Sequence, residues 1–567
     1  MPSGLAPLER EGLLRPAEAD LLDLEPVRLS TVSPATTRHR MALAWRRSSR
    51  NPDALHVRHG STQARRRPAP RAQRHRAAAG AADNRSVAIP DRALDAIVVG
   101  SGPNGLAAAI TLARAGLAVR VYEAASTIGG GLRSAELTLP GFVHDPYATV
   151  VAMALLSPFF RSLDLGRLGV ELAEPEIPAA HLLAPDRAVL LHRSVAATAA
   201  GLGRDGPTWQ RLFRPLVRDA DRLMPWILGP IPRPTRHLVA AARFGLPALL
   251  PAAALARLAF REEPARAIVG ALAAHAVVPL ESPGSAAFAL VLGIAAQHVG
   301  WPVVRGGSQR LADALAAELS RLGGEIVTDA PVRRLADLPP ARAILLDVSP
   351  SALLALAGDG LPPGYRRALE RFRYGPGVGK VDWALAGPIP WRVPALRRVG
   401  TVHLAGTLGE LAAAERRVAA GRLPRRPFVI LVQASLSDPS RAPTGRHTAW
   451  ATTHVPHGST LDVSSVIEAE IEAAAPGFRD LVLARHVQTA ADLEAANPNL
   501  VGGDIGGGLA TLPQLVARPR LALDPYRTPL PGVYLCSAST PPGGGVHGMA
   551  GYRAARSALR REFGIRD

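Results

Sequence analysis

Ala96-Ile-Val-Val99 runs straight into Gly100-Ser-Gly102-Pro-Asn-Gly105, and no other junction constrains the fold as much. Four successive apolar residues without polar alternation describe a strand buried on both faces. An Ala/Leu-rich helix follows over 106–115 and ends at Gly116, where glycine relieves the strain of a left-handed cap. Residues 118–122 supply a second strand. Strand, helix and strand within so few residues require a parallel pairing, and hence a sheet covered by helices. The glycines have separate mechanical reasons. Gly100 permits the tight turn, Gly102 lets a pyrophosphate approach the backbone with Pro103 and Asn104 beside it, and Gly105 lets helix and strand pack closely. Glu123 closes the second strand where a carboxylate can accept hydrogen bonds from a ribose. The pattern predicts a dinucleotide site.

The chain continues with Gly129-Gly130-Gly131-Leu-Arg133, a second flexible loop carrying a cation. Such a loop suits a long ligand whose phosphates are wrapped from two sides, with Arg133 making charge-assisted contacts. Gly306-Gly307-Ser308 opens a further helix, and Leu535-Cys-Ser-Ala-Ser-Thr-Pro-Pro-Gly-Gly-Gly-Val546 joins a short strand to the C-terminal helix. Helix starts hold anions. On these four elements the chain resembles the FAD-dependent phytoene desaturase-like oxidoreductases of the amine-oxidase-type flavoprotein group, in the pyridine nucleotide-disulphide oxidoreductase domain-containing protein 2 branch. The resemblance runs from about residue 94 to the end.

It implies an α/β fold: a Rossmann-type, three-layer, mainly parallel FAD-binding domain from 93–171, 301–349 and 495–567. An α+β substrate domain from 172–300 and 350–494 is inserted into it. FAD would lie extended, its adenylate half on the first glycine loop and Val332, on the strand after Gly323-Gly324, near the adenine. The flavin half would meet Gly545, Val546, His547 and Met549, whose helix-start amides stabilise a reduced, anionic ring. Two candidates for catalysis follow: His547 as a proton carrier beside the ring, and Lys380, the only lysine. Lys380 ends Tyr374-Gly-Pro-Gly-Val-Gly379-Lys380, which mimics a phosphate loop but lacks its first glycine and its closing Ser or Thr.

Composition narrows the rest. The single Cys536 excludes a disulfide framework, a dithiol redox pair and a cysteine-rich metal site, and no metal is expected. The formal charge of +19 is concentrated in 38–92, where 14 Arg face three Asp for a net +11. Residues 1–92 read as a disordered Arg-rich extension whose composition cannot offset its ordering entropy. With no aromatic-studded basic platform, nucleic acid is not an expected partner. The arginine-rich stretch leaves organelle targeting open, while Glu9, Glu11, Glu18 and Asp20 argue against it.

The apolar segments 237–260 and 265–278 are broken by Arg243, Arg257 and prolines, so no membrane span is expected. The expected protein is a cytoplasmic flavoenzyme, in contact with a membrane surface if its substrate dissolves there, and its oligomeric state is open. Its expected activity is hydride removal from a C–H bond of a small apolar, polyene-like substrate. An amine oxidase and an FAD-holding interaction protein are the alternatives.

Overall fold

The computed structural model describes residues 93–231 and 233–566; the arginine-rich extension 1–92 lies outside the described residues. The first strand, Ala96–Val99, pairs in parallel on both edges, Ala96 standing opposite Val119 on one side and Ala343 on the other. The complete sheet runs Val533–Leu535, Ala343–Leu346, Ala96–Val99, Val119–Tyr122, Glu325–Val327, and every pairing is parallel. Alternation then sorts the apolar residues into two cores. Val98, Val121, Leu345 and Tyr534 pack against helices Pro103–Arg114, Gln309–Arg321 and Met549–Glu562. Ile97, Val99, Leu346 and Leu535 pack against helices Pro350–Ala357 and Pro363–Glu370. The result is three layers built from three separated stretches of chain.

A second, seven-stranded sheet has the order Val482–Gln488, Gly377–Leu385, His447–Val455, Val429–Val432, Val399–Leu404, Ile177–Ala184, Arg187–Leu191. It is antiparallel apart from the pairing of Val399–Leu404 with Ile177–Ala184. Val381, Trp383, Leu431 and Ala451 fill one face and bury Ile467 and Ile471 of helix Ser464–Ala474. The opposite face carries Lys380, Asp382 and Thr452, and a layer of Ala- and Leu-rich helices between residues 206 and 298 packs as a separate core. The apolar stretch 237–260 is two helices here, Leu238–Ala248 and Ala252–Ala259, bent by 104° where Pro251 lacks the N–H that would continue the first.

The expectation that Val332 lies on a strand is corrected. The strand after Gly323-Gly324 stops at Val327, because Asp329 takes a positive φ of 53°. Ala330 still donates to Glu123 O, but Pro331 has no N–H to extend the ladder. Val332 therefore lies in a loop, half-buried against the second apolar face of the parallel sheet.

The closest backbone approach in this fold joins the first and last helices. A Cβ on Gly551 would lie 1.8 Å from Asn104 O. Gly551→Ala is therefore expected to force the helices apart and cost ~1–3 kcal/mol, read as a lower urea midpoint with an unchanged m-value.

Candidate active site

The first glycine loop is shaped by contacts that exclude side chains. Gly100 turns with φ 99°, and a Cβ there would sit 3.0 Å from Asp347 O. A Cβ on Gly105 would be 2.0 Å from Gly100 O. Gly102 is the extended N-cap of the helix, and Pro103 occupies the first turn, where a missing N–H costs nothing. The helix-start amide of Gly105 donates to Asp347 Oδ2 at 2.9 Å. Burial raises the Asp347 carboxyl to about 7; the Gly105 N–H opposes the rise and the Glu123 charge adds to it. In its protonated form this acid leaves the positive helix end available to an anion.

Glu123 braces the loop from below. Its Oε2 accepts from Ser101 N (2.9 Å) and Ser101 Oγ (2.5 Å), and its Oε1 accepts from Ala125 N (2.9 Å). Arg133 stands 3.6 Å from the same carboxylate and donates to Thr127 O at 3.0 Å. The second glycine loop presses onto the first: Gly129 N donates to Ser101 O, and a Cβ on Gly130 would be 2.9 Å from Gly102 Cα. Around Gly131 there is room, with nothing within 4 Å of the Cβ position. Beside this cradle two buried polar atoms lack partners, Asn104 Oδ1 and Arg133 Nε. Backbone that only glycine can supply, a helix N-terminus and two unpaired polar atoms fit a bound dinucleotide.

The C-terminal cluster arrives at the same place. Gly543 and Gly545 have φ of 116° and 123°, and Gly548 caps the helix Met549–Glu562 with φ 63°. A Cβ on Gly548 would meet Ala107 Cβ and Phe159 Cδ1 at 2.9 Å and Pro103 O at 3.3 Å. Two helix N-termini thus lie side by side, and Val546 and Met549 are buried between them and the core. The loop 502–508 packs here as well. Ser539 Oγ donates to Gly507 O (2.8 Å), and a Cβ on Gly544 would touch Gly506 Cα at 3.0 Å.

His547 is fully occupied. Its Nδ1 accepts from Met549 N (3.1 Å), so its Nε2–H donates to Gly543 O (3.1 Å), and burial lowers its pKa to about 4. The ring is neutral and has no free nitrogen for a proton transfer; it holds the glycine loop in shape.

Lys380 lies mid-strand, not in a loop, and forms a buried ion pair with Asp382 on the same sheet face. Burial pulls the ammonium pKa down while Asp382 pulls it up, and the net direction is down. The Trp450 ring lies 5.1 Å from Lys380 Nζ, and His144 Nδ1 is 3.6 Å from Asp382 Oδ1, which has no hydrogen bond. Residues 134–149 connect this face to the second glycine loop. Ser134 Oγ donates to Asp145 (2.5 Å), Asp145 pairs with buried Arg441 (2.7 Å), and Trp450 Nε1 donates to Thr149 Oγ1 (2.9 Å).

Comparison with known proteins agrees with this geometry. Residues 98–160 match the family model of the NAD(P)-binding Rossmann-like domain. A rat pyridine nucleotide-disulfide oxidoreductase domain-containing protein 2 is 28% identical, over 82% of this chain and 93% of its own length. The hydroxyneurosporene desaturase of Cereibacter sphaeroides is 32% identical over 47% of this chain and 58% of its own. A wild-type putrescine oxidase bound to putrescine has the same fold, with a TM-score of 0.54 and 18% identity over 83% of this chain and 100% of that one. The chain is an FAD-dependent oxidoreductase with a Rossmann-like dinucleotide-binding domain, similar in sequence to a desaturase and in fold to an amine oxidase.

In this flavoenzyme a dithiol has no place, since Cys536 stands alone and burial holds its thiol protonated. Among the described residues no cluster of His, Cys, Asp or Glu could hold a metal ion. Asp347, Asp382, His144 and Arg441 are polar groups of the site that sequence reasoning missed. Only Asp347 left a signal, as a carboxylate directly after the apolar strand Ala343–Leu346.

Because the folded pKa of Asp347 is raised, its ionisation opposes folding, and stability is lost as pH climbs from its ordinary 3.8 towards about 7. Asp347→Asn keeps an acceptor for Gly105 N and removes the ionisation. The variant is expected to match wild type in acid and to exceed it by on the order of 1–4 kcal/mol above neutral pH, read by chemical denaturation across pH.

Proposed function

We propose that this flavoenzyme removes hydride from a C–H bond of an apolar, unsaturated substrate held against the face of the seven-stranded sheet that carries Lys380. The observation that carries this reading is the continuous connection from the two glycine clusters, through residues 134–149, to the buried Lys380–Asp382 pair. FAD, when bound, would supply the acceptor for the hydride, which carries both electrons. The protein's part is to orient and to exclude water. The helix starts at Pro103 and Met549 offer positive ends to the cofactor's charges. Lys380, held between Asp382 and the Trp450 ring, is a buried cation that can give up or hold a proton beside the substrate.

Segments 93–171, 301–349 and 495–567 are assigned to the cofactor half, and 172–300 with 350–494 to the substrate half, except that helices Pro350–Ala357 and Pro363–Glu370 cover the parallel sheet and go with the cofactor half. An apolar substrate is supported by the Ala- and Leu-rich helical layer packed over the sheet and by the likeness to the hydroxyneurosporene desaturase. A lipid surface is the proposed partner through which such a substrate arrives. Leu238, Val239, Leu246, Leu249 and Leu258 are 54–79% exposed on the bent helix pair. Arg236, Arg243, Arg257 and Arg261 stand exposed around them, a charge that suits anionic headgroups. Among the described residues no single helix is long and apolar enough to cross a membrane.

Purified protein is expected to carry a flavin absorbance band that an unsaturated isoprenoid bleaches under anaerobic conditions and an amine does not. Lys380→Met is expected to slow that bleaching roughly 100-fold with the band retained; bleaching by amines alone would overturn the substrate reading. Leu246→Asp with Leu258→Asp is expected to abolish co-sedimentation with phosphatidylglycerol-containing vesicles while leaving the melting temperature unchanged.

A further inference from the structure

The face that carries Lys380 has a second polar pole, at the far side of the same sheet. Register places His181 beside His403, His403 beside Ile430, Ile430 beside Thr452, and Thr452 beside Lys380. Directly paired residues point to one side, so these five side chains form a row across the sheet. Three strand spacings separate His403 from Lys380, roughly 14 Å.

Both histidines at the far pole are wholly buried, and each has an unpartnered ring nitrogen, Nδ1. His181 donates its Nε2–H to Gly406 O at 2.6 Å, so its Nδ1 is a bare lone pair. His403 Nε2 faces His275 Nε2 at 3.1 Å, one proton lying between them, which makes His403 Nδ1 a donor or an acceptor according to the tautomer. Burial depresses the pKa of all three, to about 4 for His181 and about 3 for His275, so the rings are neutral. Two further buried polar atoms near this pole lack partners: Thr401 Oγ1, one pleat along from His403, and Nε1 of Trp301, whose ring lies 6.2 Å from that of His403. Both residues also line a narrow crevice together with Val150 and Val303. Native proteins seldom leave so many buried polar atoms unpaired in one place unless a ligand or water completes them.

We propose that this pole receives a neutral hydroxyl group at one end of an elongated substrate whose reacting C–H bond lies near Lys380. The inference rests on the functional reading above and narrows it to substrates with a polar end. A hydroxyl donates to the bare His181 Nδ1 and accepts from a His403 Nδ1–H, so it satisfies both rings without changing their charge. A carboxylate cannot be served by two neutral rings of which one offers only a lone pair. An ammonium would need a buried counter-charge, and the nearby Glu415 already holds His454, with both oxygens 2.9 Å from Nδ1.

Equilibrium dialysis of the full-length flavoprotein with farnesol and with farnesene tests this. Farnesol is expected to bind roughly tenfold more tightly, the worth of one to two buried hydrogen bonds. His403→Phe and His181→Leu are each expected to bring the two affinities within about twofold while farnesene binding stays as in wild type. A variant with a lowered melting temperature is replaced by His403→Leu, which removes the ring nitrogens with a smaller side chain and is expected to lose the same preference. Equal binding of both probes to wild type, or a preference for farnesol that survives in the folded variants, overturns the proposal. Flavin absorbance of the same samples reports on the functional reading separately: a colourless protein that still prefers farnesol defeats the redox role and leaves the hydroxyl pole standing.

Discussion

Two helices begin within van der Waals reach of one another, and most of the site follows from that approach. Gly548 lies against Pro103 and Ala107, and Gly551 against Asn104, at separations that no other residue type permits. Each helix start directs unsatisfied amides and the positive end of a dipole outward. Side by side, the pair creates a region that repels cations and lacks an internal anion. Two carboxyls moderate this: Asp347, whose pKa burial raises to about 7, and Glu123, which is spent on Ser101 and Ala125. A dianionic pyrophosphate is the natural complement.

A second constraint is the sharing of one loop between two sheets. Residues 134–149 hold the second glycine loop through Ser134 and the antiparallel sheet through His144, Asp145 and Thr149. Buried ion pairs stabilise folds weakly but punish the loss of one partner heavily. The Asp145–Arg441 and Lys380–Asp382 pairs therefore fix position more than they add stability. With the cofactor cradle on one end of this loop and the polar sheet face on the other, their separation is held nearly rigid. Geometry of that kind suits the proposed hydride removal, which depends on close approach of a C–H bond to its acceptor.

How far the chain could be read in advance depended on whether a function is local in sequence. The glycine loops were legible because their reasons are local: turn, close approach, helix start. Gly100, Gly102, Gly105, Glu123 and Gly130 all lie in the cradle. His547 was legible as a site residue but not in its role, since its two hydrogen bonds to Gly543 and Met549 depend on a loop conformation that composition does not reveal. For Val332 only the strand placement was misread, because a positive φ at Asp329 ends that strand early. The polar rows of the second sheet left no pattern, since His181, His403, Thr452 and Lys380 come from four strands scattered over some two hundred and seventy residues of sequence.

Sequence alone determined the parallel βαβ start, the dinucleotide cradle and the exclusion of cysteine chemistry, because each rests on residue types within a few positions of one another. Tertiary structure decided that both glycine clusters share a site, that Lys380 is buried beside Asp382, and that two polar poles, His181 with His403 and Thr452 with Lys380, flank Ile430 across the second sheet. Those outcomes depend on strand register and helix crossing, which are set by packing between segments hundreds of residues apart.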